Sequence, residues 1–405
     1  MAFGVTAVYT TSLFAAPLAP NTLPGGGQVV AGQGSIGQSG SRMSITQSSQ
    51  QAIFSWQTFN IGSQAQVTFI QPNSQATALN RVISSDPSQI YGSLTANGRV
   101  FLLNPSGIIF GPGSSVNVGG LVASTMGISD SDFLAGRYLF TRDGSTGTIL
   151  NRGTITAADG GFVALLAPNV MNEGIVSARL GTVAFAAGDR VTLDFDGDNL
   201  VSVTADPATI ATLVDNRQLV RAEGGRVIMA ASAADKLLGG VVNNSGTISA
   251  SSMVNKGGEV WLTGDTVTQT GNGIIEARGT TGGTVRMLGD KVGLLDSSKI
   301  DASGASGGGT VLVGGNSQGK GPEQNASVTY VGKDASIAAD AVTNGNGGKV
   351  VVWADDTTRF HGSISAKGGA QGGDGGNVEV SGKKYLVYDG GFDARAPKGH
   401  AGSLL

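Results

Sequence analysis

The residue types that could do chemistry in this chain are few and scattered. Asp265 and Asp290 each follow a Gly at the end of a Val-rich run, so they hold equivalent places in a repeating unit. Stacked one repeat apart, about 4.8 Å, they would form a carboxylate ladder. Polysaccharide lyases and hydrolases place such carboxylates on one face of a β-solenoid and use them as acid and base. The simpler reading is a turn Asp that closes on nearby backbone. Asp355, Asp356 and Asp374 are scattered in the same way. The two histidines, His361 and His400, are far apart in sequence, which argues against a His-based triad or a His metal site. Asp194-Phe195-Asp196-Gly197-Asp198-Asn199 has the look of a calcium loop, but its Gly is fourth and the twelfth position is Ala205. An EF-hand needs Gly sixth and Glu twelfth, so a hairpin turn is the better reading. The string 368–377, GGAQGGDGGN, occurs once without tandem copies and reads as a mobile loop rather than a calcium-binding repeat. With no Cys, thiol catalysis and Cys-based metal sites are excluded. No catalytic residue, cofactor or metal is expected.

The elements that must position these residues are repeats. From about residue 150 onward, units open on Gly-Gly-x-Val and end on Gly-x-Ile-x-Ala or a variant. The openings fall at Val163, Val227, Val260, Val285, Val311, Val350 and Val378, and the regular ones recur at a period in the twenties. Three short strands and their turns take about that many residues, which is the period of a β-solenoid. Alternation within units points Val260, Leu262 and Val267 inward and Glu259, Trp261 and Thr263 outward. Val285, Met287 and Val292 repeat the pattern, as do Val350 with Val352 and Val378 with Val380. The longer gap from Val311 to Val350 holds an insertion, 314–325, that should loop out on a face or edge.

Composition agrees. Of 405 residues 66 are Gly and 11 Pro; 40% are hydrophobic and 14% charged. That is too apolar and too weakly charged for a disordered chain. The net charge of −3 comes without a basic run, so no nucleic-acid partner is expected. The ends of a solenoid are exposed sheet edges, so residues about 25–60 are expected to supply capping and extra-helical strands. Residues 190–205 read as a hairpin around Asp196-Gly197-Asp198 that projects from the coil. Residues 206–220 are the one helix candidate, with Asp206 as N-cap and Pro207 in the first turn. Residues 1–20 read as the back half of a signal peptide without its basic start, and no segment is long enough to span a membrane.

One run carries more than architecture. In 97–125, NGRVFLLNPSGIIFGPGSSVNVGGLVAST, short apolar runs alternate with turns at close spacing. Asn104-Pro105-Ser106-Gly107 is a turn in which Pro105 presets φ and Gly107 can supply a positive φ before the run that starts at Ile108. Asn104, Pro105, Ser106, Gly107 and Ile108 together resemble the NPNGI signature of the filamentous-haemagglutinin N-terminal domain, the secretion module of two-partner secretion exoproteins. The segments 53–82 and 87–104 resemble that family too. Ser106 replaces the family's second Asn. The family's NPNL motif has no clean copy; Gln71-Pro72-Asn73 is the nearest string.

The resemblance implies an all-β fold, a right-handed parallel β-helix with N-terminal capping strands and extra-helical hairpins. It implies a secretion domain at 21–270, further β-helix repeats at 271–405 that break off mid-unit, and Asn104–Ile108 as a fold and secretion determinant. The implied partner is a cognate outer-membrane β-barrel transporter with periplasmic binding domains. The implied location is outside the cell or on the outer-membrane surface, reached through the periplasm. A host or cell-surface ligand would be taken by a missing C-terminal region. By this reading the chain is the front of an adhesin and not an enzyme. A polysaccharide-active solenoid and a haem-acquisition or contact-inhibition exoprotein are the alternatives.

Overall fold

The computed structural model describes residues 18–195, 200–235, 237–252 and 257–405. Most of the predicted signal segment, and the Asp196-Gly197-Asp198 turn, lie outside them. The described chain winds as the expected right-handed parallel β-helix, in a 35-stranded sheet wrapped into three faces. Face A runs through Gln51–Trp56, Thr77–Val82 and Arg99–Leu103 to Lys349–Ala354 and Asn377–Gly382. Face B includes Ile108–Phe110, Thr148–Asn151 and Asn169–Asn172. Face C includes Ile175–Ser177, Leu219–Arg221 and Thr247–Ser249.

The marker valines form one interior row. Val163, Val183, Val227, Val260, Val285, Val311, Val350 and Val378 pair in register down face A and are buried. Their period is therefore a packing period, with each coil burying the apolar face its neighbour cannot bury alone. The second Gly of each opening follows from the same stacking. A Cβ on Gly258, Gly283, Gly309, Gly348 or Gly376 would fall well inside 3.0 Å of the carbonyl oxygen of the equivalent Gly one coil back. A second interior row is polar. Asn151, Asn172, Asn216 and Asn244 are fully buried, and the Nδ2 of each of the first three donates to the Oδ1 of the next at 2.8 Å. The row continues at Gln269 and turns apolar at Leu294, Val331 and Phe360. Buried amides are tolerated because each finds its partner in the next coil.

The N-terminal end is capped as expected. Gln28–Ala31 runs antiparallel to Gln51–Trp56, and Gly34–Ser39 antiparallel to Arg42–Gln47. The predicted helix at 206–220 is not there. Thr212–Asn216 and Leu219–Arg221 are strands, because Val214 and Val220 continue the interior rows of Val170 and Val176. Coil register overrides the capping signal of Asp206 and Pro207. The one α-helix among the described residues is Asp130–Leu134, where the Ser129 hydroxyl accepts from the Asp132 N–H and Phe133 is buried.

The hairpin Arg190–Asp194 with Ser202–Asp206 forms as expected, but it lies flat. With Tyr138–Thr141 it makes a three-stranded antiparallel sheet over the outside of face A. That sheet and the short helix bury Ile53, Leu79, Phe101, Val122, Phe162 and Phe140 in a second core. Gln51 Nε2 donates to the Phe133 carbonyl at 2.8 Å, and Arg81 pairs with Asp130.

Lower down, the insertion at 314–325 lies along the outside of face A as a strap. Gly319 sits against the Trp353 ring, and the Asn325 Nδ2 donates to Asp355 at 3.3 Å. The buried Glu379 carboxylate accepts from the Gln318 N–H at 2.8 Å and from the Ser317 hydroxyl. Arg286 pairs with Glu323 at 3.4 Å and stacks on Trp261 at 4.4 Å. The 368–377 string is packed rather than loose. Gly369 lies against Asn344, and the Asp374 N–H donates to Asn346 at 2.8 Å, one corner turn on the next.

Candidate functional site

The Asn104–Ile108 corner joins face A to face B. Asn104 follows the strand Arg99–Leu103 and is fully buried. Its Oδ1 accepts the Ser106 N–H at 3.0 Å, and its carbonyl accepts the Gly107 N–H at 3.0 Å. The side chain thus closes an Asx turn inside a backbone turn. Its Nδ2 reaches the preceding coil, donating to the Asp86 carbonyl at 2.9 Å and the Ser88 hydroxyl at 3.0 Å. Gly107 has φ +121°, so the positive φ expected there is used. Its carbonyl accepts the Ser88 N–H at 3.0 Å. Ile108 is fully buried and pairs with Ser88 on one side and Ile149 on the other. Pro105 is exposed and Ser106 half-buried, and the Pro105 carbonyl accepts the Ser145 hydroxyl at 2.7 Å. The corner ties three coils together while presenting Pro105 outward. Ser106 uses its backbone N–H in the turn, so the Asn-to-Ser difference leaves the turn intact.

Gln71-Pro72-Asn73 makes a second polar corner. The buried Gln71 Nε2 donates to Gln47 Oε1 at 3.1 Å and to the Ala76 carbonyl at 3.0 Å, and its Oε1 accepts the Gly98 N–H at 3.0 Å. Asn73 Oδ1 accepts the Gln75 N–H at 2.9 Å. This corner uses the same device with different letters.

The scattered carboxylates do not converge. Asp265 and Asp290 are equivalent, as their flanking residues pair Gly264 with Gly289 and Thr266 with Lys291. Each is engaged in turn-building. Asp265 accepts the N–H groups of Ala233 and Gly240 at 2.8 and 2.6 Å, and Asp290 accepts the Ser327 hydroxyl at 2.5 Å. Asp355 accepts the Trp353 indole N–H at 3.1 Å, and Asp356 faces Lys384 at 3.3 Å. Asp374 accepts the His400 backbone N–H at 2.7 Å, the main reason its carboxyl lies below the usual range. His361 stands 3.6 Å from Asp389, separate from the His400 pair. Among the described residues no group of three His, Asp or Glu is placed to hold a metal, and no helix is long and apolar enough to cross a membrane.

Sequence reasoning missed the buried Asn row. Its signal is an Asn four residues before an interior aliphatic: Asn151 and Ile155, Asn172 and Val176, Asn216 and Val220, Asn244 and Ile248. It also missed that outward apolar residues such as Phe101 mark a surface that another element covers.

Comparison with known proteins agrees with this geometry. The family model described as TPS secretion domain matches residues 20–277. A heme/hemopexin-binding protein of Haemophilus influenzae (strain ATCC 51907 / DSM 11121 / KW20 / Rd) is 34% identical over 270 residues, covering 64% of this chain and 29% of that protein. A second heme/hemopexin-binding protein of Haemophilus influenzae is 32% identical over 249 residues, covering 56% of this chain and 26% of that protein. The match thus spans less than a third of these relatives' length. The crystal structure of the HMW1 secretion domain from Haemophilus influenzae superposes with a TM-score of 0.83 at 31% identity, over 94% of this chain and all of that one. These relatives are named as secretion domains and heme/hemopexin-binding proteins, not as enzymes. The chain belongs to the two-partner secretion (TPS) family, and it carries the secretion domain of a two-partner-secretion exoprotein.

Proposed function

We propose that residues 21–270 are the secretion unit, that 271–405 begin the β-helical stalk of a surface or released adhesin, and that neither part is catalytic. Residues 1–20 send the chain to the periplasm. The transporter's periplasmic domains engage the secretion unit, the chain is threaded outward unfolded, and each folded coil templates the next outside. Asn104, Pro105, Ser106, Gly107 and Ile108 act in this scheme mainly through folding. The observation that carries the reading is the full burial of Asn104 with its side chain spent on turn and coil contacts. Pro105 is the exposed residue of the five, so a role by direct contact with the transporter would show as lost secretion in Pro105→Ala.

Export is tested in a Gram-negative host with residues 20–405 behind a complete signal peptide, with and without the transporter. Transporter-dependent release is expected, reduced by Asn104→Ala together with a stability loss of about 1–3 kcal/mol from the stranded partners. Pro105→Ala should secrete normally. Periplasmic retention of a folded protein under every condition would overturn the reading. A second reading of the whole exoprotein, haem or hemopexin binding, is favoured by the names of the two relatives. Hemopexin retained by the full-length exoprotein, and not by this chain alone, would place that activity beyond the secretion unit.

A further inference from the structure

Asn-Gly is the dipeptide whose side chain reacts most readily with its own backbone. With no Cβ on the following residue, that residue's nitrogen can reach the carboxamide carbon and close a cyclic imide. The chain has four: Asn97-Gly98, Asn272-Gly273, Asn344-Gly345 and Asn346-Gly347. All lie between strands, so sequence alone makes them equal.

The fold makes them unequal. Asn97 Oδ1 accepts the Gln71 N–H and its Nδ2 donates to the Gln71 carbonyl, each at 2.8 Å, while the Gly98 N–H donates to Gln71 Oε1 at 3.0 Å. Asn346 Oδ1 accepts the Asp374 N–H at 2.8 Å, and the Gly347 N–H donates to the Asp374 carbonyl at 2.8 Å. The Gly273 N–H donates to the Thr270 carbonyl at 3.0 Å. In these three the nitrogen that would attack is held by an acceptor on another residue. At the fourth, the Gly345 N–H donates to the Oδ1 of Asn344 itself at 3.0 Å. The nitrogen therefore lies against the carboxamide whose carbon it would attack, and the hydrogen bond polarises that carbonyl.

Neighbouring coils hold this arrangement. The Asn344 N–H donates to the Ala305 carbonyl at 3.0 Å, and the Gly345 carbonyl accepts the Gly369 N–H at 3.0 Å. The Gln371 N–H donates to the Thr343 carbonyl at 2.8 Å. Gly345 has φ +88°, and a Cβ there would collide with the Ser306 carbonyl oxygen. Asn344 is exposed, so water and base reach it.

We propose that Asn344 is a site of spontaneous backbone modification, with water as the co-reactant. Hydroxide takes the Gly345 N–H proton, and the nitrogen forms a bond to Asn344 Cγ. The Cγ–Nδ2 bond breaks, and Nδ2 leaves as ammonia with a proton from water. A water molecule then opens the imide at either carbonyl, giving aspartate or isoaspartate at 344. Both products add a negative charge, and isoaspartate also adds a backbone atom between the bonds to Ala305 and Gly369. The corner then opens locally at 342–346 and 369–371, while the buried Val350 row stays closed. The site lies beyond the residues 20–277 matched by the secretion-domain model, and it stands whatever the outcome of the export test.

The test follows the whole chain at mildly alkaline pH, folded and in urea, by proteolytic mapping and mass spectrometry. In urea the four Asn-Gly pairs should deamidate at similar rates. In the folded protein Asn344 should outpace Asn97, Asn272 and Asn346 by about tenfold or more, and isoaspartate should appear at 344. Hydrogen exchange at Gly369 and Gln371 should quicken as the product accumulates. Asn344→Gln should abolish the fast reaction and leave the other three rates and the melting curve unchanged. A folded-state rate at Asn344 no faster than at the other three, aspartate without isoaspartate, or unaltered exchange at Gly369 and Gln371 overturns the proposal.

Discussion

One outward row of face A can be followed down the molecule, and its two halves solve the same problem differently. The row pairs Ile53, Leu79, Phe101, Val122, Ala164, Ala184 and Ile228 in register, then continues as Trp261, Arg286, Leu312, Val351 and Glu379. The upper stretch is apolar and lies under the short helix and the antiparallel sheet. The lower stretch mixes charge with apolar groups and lies partly under the strap. The backbone is the same in both, so the side chains of a single row decide which cover forms. An apolar outward position in a β-helix reports a second layer, and a charged one reports solvent or a polar strap.

The largest effect expected from that contrast is at Phe101. It is fully buried and meets Phe133, Tyr138, Phe140 and Phe162 at ring distances of 5.3 to 6.4 Å. Phe101→Ala should cost about 3–5 kcal/mol by urea unfolding. Arg286→Ala, in the lower stretch, should cost about 1–2 kcal/mol, because Glu323 keeps its hydrogen bond from Asn316. Equal losses would break the comparison. Next comes the buried amide row, which belongs to the upper and middle coils and is replaced below by apolar side chains. Asn172→Ala leaves Asn151 Nδ2 without its acceptor and Asn216 Oδ1 without its donor, and should cost about 2–3 kcal/mol. Hydrogen exchange should then accelerate on both neighbouring coils and not at Val311–Val350.

How much of this was legible depended on which interactions are local in sequence. The valine rows and the capping role of residues 25–60 could be read, because burial imposes a period on residues close together. The helix expected at 206–220 failed because Asp206 and Pro207 are local start signals, while Val214 and Val220 answer to rows in other coils. The string around Asp374 looked loose because Gly-rich composition says nothing of the corner stacked beneath it. The cover over Phe101 needed residues 129–141 and 190–206 to return to strands far earlier in the chain, and nothing in a single unit announces that. The Asn104 corner was readable as a turn, but its bonds to Asp86 and Ser88 were not.

Smaller effects sharpen the lower half of the comparison. Glu379→Ala removes the strap's anchor on the lowest coil it touches and should cost about 1–2 kcal/mol. Its readout is faster tryptic cleavage at Lys320, which lies exposed within the strap. The smallest effect is a pH response. Hydrogen bonding to Arg395 lowers the Asp393 pKa from 3.8 to about 2. The depressed value stabilises the folded state fully above 3.8, and that contribution is lost as pH falls through about 2. Asp393 is nearly exposed, so solvent screens the pair and the change should be slight. Arg395→Ala should lower the neutral plateau by that slight amount, leave stability below about pH 2 unchanged, and so flatten the acid limb.

The unbroken pairing of Val311 with Val350, across an insertion that most coils lack, makes this molecule a ruler graduated in turns rather than in residues. Each winding advances the tip by about 4.8 Å whatever its contour length. A long winding reaches no further than a short one; it only grows sideways. How far the stalk stands from its capped end is thus set by counting windings, while decoration of its flanks is free to vary in size without moving anything mounted beyond it.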